Sequence, residues 1–133
     1  MLNYNEYIIN ELKIDRPRHS ELIEFKCGIQ LSDKDLKNCN WIKANELVNK
    51  YKGDGYTDWR LPTVYELKKI AKNTTRLDYA YGYWSSENDS MFAKWVRSIS
   101  GTEYESDKIN QNYNALAVRN LNPDEIAAYK YNL

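Results

Sequence analysis

The apolar positions of this chain recur at helical spacing in its first half and alternate in its second. In residues 4–13, Tyr4, Tyr7, Ile8 and Leu12 predict a short amphipathic helix or arm, which Pro17 stops. ELIEFKCGIQL then carries Ile23, Phe25, Cys27 and Ile29 on one side, the period of a half-buried strand. Ser32, or Asn40 just before Trp41, is placed to start the next helix. The clearer helix is WIKANELVNKY, where Trp41, Ala44, Leu47, Val48 and Tyr51 form a stripe that Gly53 ends. A second helix is expected from Thr63 to about Lys72, with Val64, Leu67, Ile70 and Ala71 on one face and Lys68 and Lys69 outward.

After residue 78 the pattern changes to strands and turns. Tyr81-Gly82-Tyr83-Trp84-Ser85-Ser86 is short and aromatic, and Glu87-Asn88-Asp89-Ser90 reads as a turn. Phe92, Lys94, Val96 and Ser98 alternate with Ala93, Trp95, Arg97 and Ile99, so both faces carry apolar groups and a central strand is expected. Residues 100–103 form a turn in which Gly101 can supply a positive φ. Ala115, Ala117 and Arg119 alternate with Leu116, Val118 and Asn120, a final strand before an Asn122-Pro123-Asp124 helix start. Helices first and strands later predict an α+β fold, its helices packed on a mainly antiparallel sheet. No linker or repeat divides the chain, so residues 1–21 are assigned to an N-terminal helix or arm and 22–133 to one domain.

Between the two helices runs Asp58-Trp59-Arg60-Leu61-Pro62-Thr63, followed by Glu66-Leu67. Thr63 sits where a helix wants its N-cap, and Glu66 completes a capping box in which each side chain satisfies a free backbone N–H. Asp58, Trp59 and Arg60 add an acid, a large ring and a base. Trp59 is expected to anchor the loop in the core, Asp58 to cap nearby amides, and Arg60 to fork onto carbonyls or a carboxylate. A buried arginine needs a partner, for which Asp58 and Glu66 are the candidates.

Composition narrows the function classes. Lysine plus arginine (19) balance aspartate plus glutamate (19) without a charged block, which argues against nucleic acid and anionic membrane partners. The apolar runs fall short of a membrane span, and the N-terminus lacks a signal-peptide core; a cytoplasmic location is expected as the sequence stands, surface or extracellular if an export signal has been removed. Cys27 and Cys39 with the single His19 cannot make a four-ligand zinc site; reduced, buried thiols are expected, with one Cys27–Cys39 bridge as the alternative. Twelve tyrosines and four tryptophans against two phenylalanines mean that most rings carry a polar atom, which suits contact faces.

The order of landmarks, a Trp-led helix WIKANELV, a glycine loop, DWRLPT with EL, then YWSS containing Trp84, an AxxV strand ahead of a glycine turn, and LAVRNL containing Arg119, resembles the Lcl C-terminal domain family over roughly residues 22–121. The resemblance implies a C-type-lectin-like fold: two helices flanking a small, twisted, mainly antiparallel sheet with long loops. It also implies that Asp58, Trp59, Arg60, Pro62, Thr63, Glu66, Trp84 and Arg119 are structural. Relatives of that fold among formylglycine-generating enzymes hold copper with a cysteine pair near the C-terminal part. Here both cysteines precede the core motif, so that carry-over fails and no catalytic residues are assigned. Lectins of the fold bind calcium through acid and amide oxygens. Glu87, Asn88 and Asp89 are the weak counterparts here, and Asn122-Pro123-Asp124 is better read as a helix start; no cofactor is expected, with calcium as the alternative.

The ligand-binding candidates are Tyr79, Tyr81, Tyr83, Tyr104, Asn112 and Tyr113, with Asn110 and Asn114 beside them, since Tyr and Asn combine rigid contact area with adaptable hydrogen bonding. Arg97 and Arg119 are expected to be paired on strands, an arginine-lined anion pocket being the alternative. The expected function is a non-enzymatic recognition module for a protein or glycan. An oligomer-forming subunit and a cofactor-dependent enzyme on the same scaffold are the alternatives.

Overall fold

Short strands with both faces apolar require cover on both sides, and among the described residues one helix lies over each face. The computed structural model describes residues 28–73, 77 and 81–130. The expected N-terminal arm, Ile23, Phe25, Cys27 and Tyr79 lie outside the described residues. Within them the strands are β1 (Ile29–Leu31), β2 (Lys37–Cys39), β3 (Gly82–Asn88), β4 (Phe92–Arg97), β5 (Glu103–Asp107), β6 (Tyr113–Ala115) and β7 (Val118–Asn120), and the helices are α1 (Trp41–Lys50), α2 (Val64–Asn73) and α3 (Pro123–Lys130). The larger sheet has the order β2-β6-β3-β4-β5, and β1 pairs with β7 apart from it. Every pairing is antiparallel except β3 with β6. The fold is α+β.

Adjacent residues of a strand point to opposite faces, and Tyr83 and Trp84 thereby enter two different cores. Tyr83 joins Val96, Leu116 and Val118 beneath Val64, Leu67 and Ile70 of α2. Trp84 joins Cys39, Ala93 and Ala115 beneath Ala44 and Val48 of α1, with Trp59 and Leu61 at its margin. Asn40 starts α1, its Oδ1 accepting from Lys43 N at 2.8 Å. Trp41 then fastens the helix to β3, donating from Nε1 to Ser85 O at 2.8 Å.

The sequence reading differs from the structure in several places. The single final strand is two: β6 belongs to the larger sheet and β7 to the smaller, because buried Leu116 and Ala117 carry the chain across, with Ser32 N donating to Ala117 O at 2.8 Å. The turn expected at residues 87–90 begins later, since β3 runs to Asn88 and Asp89 N donates to Phe92 O at 2.8 Å. The expected central strand is β4, which has a neighbour on each side, and β3 is the middle strand of the five. Finally, β1 is buried at all three positions instead of alternating, and β2 and β5 are strands that the sequence reading did not assign, β2 having too few residues to show a period.

Gly82, on the middle strand, lies under the ring of Trp95, where a Cβ would overlap the indole and crowd Tyr113. Gly82→Ala is therefore expected to lower stability by about 1–3 kcal/mol in urea unfolding and to weaken the aromatic near-ultraviolet dichroism; an unchanged midpoint would show that the ring is free to move aside.

Candidate functional site

The loop before α2 is held by hydrogen bonds that its own sequence supplies. Trp59 is 4% exposed, donates from Nε1 to Gly53 O at 3.1 Å and meets the Tyr51 ring edge-on at 4.9 Å. Arg60 bridges to Val118 by two backbone hydrogen bonds of 2.7 and 2.8 Å. Its guanidinium forks onto both oxygens of Glu66 at 2.8 and 2.9 Å and donates to Asn120 Oδ1 at 2.6 Å. Glu66 Oε1 also accepts from Thr63 N at 2.9 Å while Thr63 Oγ1 accepts from Glu66 N at 3.1 Å, a complete capping box. Buried Pro62 accepts from Ser86 N at 2.8 Å, and Glu87 Oε2 accepts from Val64 N at 2.6 Å, so β3 also helps to hold the start of α2. Burial opposes ionisation of Glu66, but the hydrogen bonds from Arg60 and Thr63 outweigh it and keep the carboxyl below its usual range. Asp58 does not cap amides as expected; its Oδ1 accepts from Arg119 Nε at 3.1 Å.

Arg119 repeats the arrangement at α3. Its guanidinium forks onto Glu125 at 3.0 and 3.1 Å, and Glu125 forms a capping box with Asn122 through bonds of 3.0 and 2.8 Å. It also donates to Gln30 Oε1 at 2.8 Å and lies over the Tyr56 ring at 3.6 Å. With all these partners Arg119 is a fastening within the fold. In both units the arginine precedes the capping glutamate by six residues and the N-cap residue by three, a spacing visible in the sequence but overlooked there. Asn122-Pro123-Asp124 is a helix start, with the Asn122 oxygen used as the cap. Arg97 is exposed.

The ligand candidates do not form one surface. Tyr83 is fully buried and donates to Asp35 Oδ2 at 2.6 Å, so it leaves the candidate set as a core residue. Asn114 is buried too, accepting from Asn38 Nδ2 at 3.1 Å. Tyr81 and Tyr104 are 47% and 41% exposed, Asn112 is exposed and Tyr113 half-buried. Tyr104 and Tyr113 stack on Trp95, at centroid distances of 4.7 and 4.0 Å and interplanar angles of 25° and 20°. Trp84 meets Tyr113 edge-on at 4.9 Å. Trp95 Nε1 donates to Ser106 Oγ at 2.8 Å, and that oxygen lies 3.2 Å from the Tyr113 hydroxyl. The result is an aromatic strip on the α1 face. Trp95 was the overlooked member; its direct pairing with Tyr104 across β4 and β5 needs the register to be seen.

The oxygens of Glu87, Asn88 and Asp89 serve the fold. Glu87 caps α2, Asn88 Oδ1 accepts from Lys108 Nζ at 2.8 Å, and Asp89 Oδ1 accepts from Met91 N and Phe92 N at 3.0 and 2.8 Å. Those backbone donors hold the Asp89 carboxyl below its ordinary range. Among the described residues no group of three or more His, Cys, Asp or Glu side chains is arranged to hold a metal ion. Cys39 is a free, buried thiol whose pKa burial raises. No helix among the described residues is long and apolar enough to cross a membrane.

The model of the family described as the Lcl C-terminal domain matches residues 18–119. Among curated proteins none matches this chain.

Two outcomes are expected of the anchoring residues. Trp59→Ala should cost about 3–5 kcal/mol in urea unfolding. Glu66→Gln should cost about 1–3 kcal/mol at neutral pH, toward the lower end because the Arg60 side chain is 34% exposed. The Glu66 pKa is depressed in the folded state, so its contribution is present above the unfolded value of about 4.3 and is lost as pH falls through the folded one. Denaturation midpoints measured below about pH 4.3 should accordingly fall less steeply in Glu66→Gln than in the parent; parallel acid limbs would refute the assignment.

Proposed function

The chain belongs to the Lcl C-terminal domain family, and from that premise we propose that it is a non-enzymatic recognition module binding a protein or a glycan through the Trp95 strip and its neighbouring loops. The observation that carries this reading is the strip itself. On its face of the sheet α1 lies mainly over β2 and β6, and the aromatic ladder continues beyond that cover onto β4 and β5. The ladder presents Tyr104 with exposed Asn112 nearby in sequence to Tyr113. Ring edges, a hydroxyl and an amide on a rigid stack suit a sugar or a polypeptide equally. We read the fold as C-type-lectin-like, with no cofactor required for binding.

A second reading is an assembly subunit. Trp41 N donates to Lys108 O, and Lys108 N to Met91 O, which gathers three loops at one end of the domain. There Ile42, Met91 and Ile109 are 52%, 62% and 67% exposed, an apolar end that favours contact with a second copy. Sedimentation at high concentration distinguishes the two, a strictly monomeric chain excluding the subunit reading.

For the recognition reading, glycan and peptide arrays are expected to give ligands whose affinity drops at least tenfold, about 1.4 kcal/mol, in Tyr104→Ala and in Asn112→Ala, each variant shown to be folded by its unfolding curve. Ligands that bind both variants as tightly as the parent would place the site elsewhere.

A further inference from the structure

Among the described residues β5 ends the larger sheet: β4 is its one hydrogen-bonded neighbour there. The register pairs Tyr104 with Trp95 and Ser106 with Ala93, and the ladder continues at both ends through Arg97 N to Thr102 O and Lys108 N to Met91 O. Hydrogen-bonded pairs alternate along an antiparallel ladder, so the bonds to β4 fall at Tyr104 and Ser106. The backbone N–H and C=O groups of Glu103, Glu105 and Asp107 then point to the open edge. Glu103, Tyr104 and Glu105 are exposed. The strand carries no proline or glycine, and its register with β4 is unbroken from Glu103 to Asp107. Two of the usual protections of an edge, proline and a bulge, are therefore missing, and charge remains.

That charge has one sign. Glu103, Glu105 and Asp107 share a face, opposite to that of Tyr104 and Ser106. A second copy pairing antiparallel about Glu105 would set Glu105 against Glu105 and Glu103 against Asp107, and like charges directly opposite are destabilising. Lys94 stands across from Glu105 in register but reaches Glu103 at 3.3 Å, where Lys68 also arrives at 2.8 Å. Lys68 of α2 and Lys94 of β4 thus gather at one end of the acidic row, and among the described residues Glu105 is left exposed. Asp107 accepts from Ile109 N and Asn110 N, and these bonds fix its place in the row.

We propose that β5 accepts a further strand: an extended segment of a partner protein with lysine or arginine at alternate positions. Its basic side chains face Glu103, Glu105 and Asp107, and its intervening apolar side chains face Tyr104. The inference deepens the recognition reading, on which it rests, by naming the ligand as a basic polypeptide strand docked by main-chain hydrogen bonds beside the aromatic strip.

The test uses the full chain and a capped Lys-Val-Lys-Val-Lys peptide, followed by titration in low salt. Binding is expected, with at least a tenfold loss when the amides on one edge of the peptide are N-methylated and little change when those on the other edge are. Glu105→Lys is expected to weaken this peptide at least tenfold and to gain affinity for Glu-Val-Glu-Val-Glu, and its unfolding curve serves as the check that the variant is folded. Binding indifferent to N-methylation on either edge would overturn strand addition, leaving mere charge attraction. No peptide binding alongside Tyr104-dependent glycan binding would overturn it while the recognition reading stands. Binding of neither class would overturn both.

Discussion

The fork of Arg60 onto Glu66 is the contact on which the rest of this fold depends. It joins a residue bridged to β7 with the third residue of α2, and the same carboxylate closes the capping box that starts the helix. One glutamate therefore sets where α2 begins, how it is turned and how far it stands from the strands. A charged pair withdrawn from water is costly, and it holds here because its geometry is bidentate and its remaining valences are met by Thr63 N and Asn120 Oδ1. Anionic charge in the first turn of α2 adds a favourable interaction with the helix dipole.

The same solution appears again at Arg119, and the two copies are interlocked. Arg60 reaches Asn120, the residue after Arg119, and Arg119 reaches Asp58, two residues before Arg60. The backbone bridge from Arg60 to Val118 lies between them. Each arginine thus fixes its own helix and the segment that carries the other arginine, so the starts of α2 and α3 are coupled through a few adjacent peptide groups. Gln30 on β1 joins through Arg119 and donates onward to Asp54 at 2.8 Å, a residue held at a φ of 56°. The glycine-broken loop after α1 is thereby drawn into the same network.

How far this was legible depends on the range of the interactions. The capping box at Thr63 and Glu66 spans three residues and is written in the sequence; so are the apolar stripes of α1 and α2. The partner of Asp58 was not legible, because Arg119 is 61 positions away and a nearby amide was the cheaper local guess. Tyr83 looked like its exposed neighbour Tyr81 for a related reason. In a strand whose faces are both covered, period alone cannot tell a core tyrosine from a surface one; that depended on α2 arriving over Tyr83 and on Asp35 meeting its hydroxyl. The split of the last strand was hidden likewise, since residues 115–120 alternate without interruption while Leu116 and Ala117 change sheets.

The division between anchoring and the proposed recognition also arises from this geometry. Trp95 has a tyrosine ring stacked on either side, so its faces are spent within the protein and its edge is what remains to present. Gly82 makes that stack possible by leaving the space under the indole empty, which lets a ring from β4 reach one from β6 across the intervening strand. A strip built this way is stiff, with little side-chain entropy left to lose when something binds. On the recognition reading proposed above, the best-suited surface is therefore the outer side of Tyr104 together with the edge of β5 that is open among the described residues, where backbone groups and a rigid ring stand side by side.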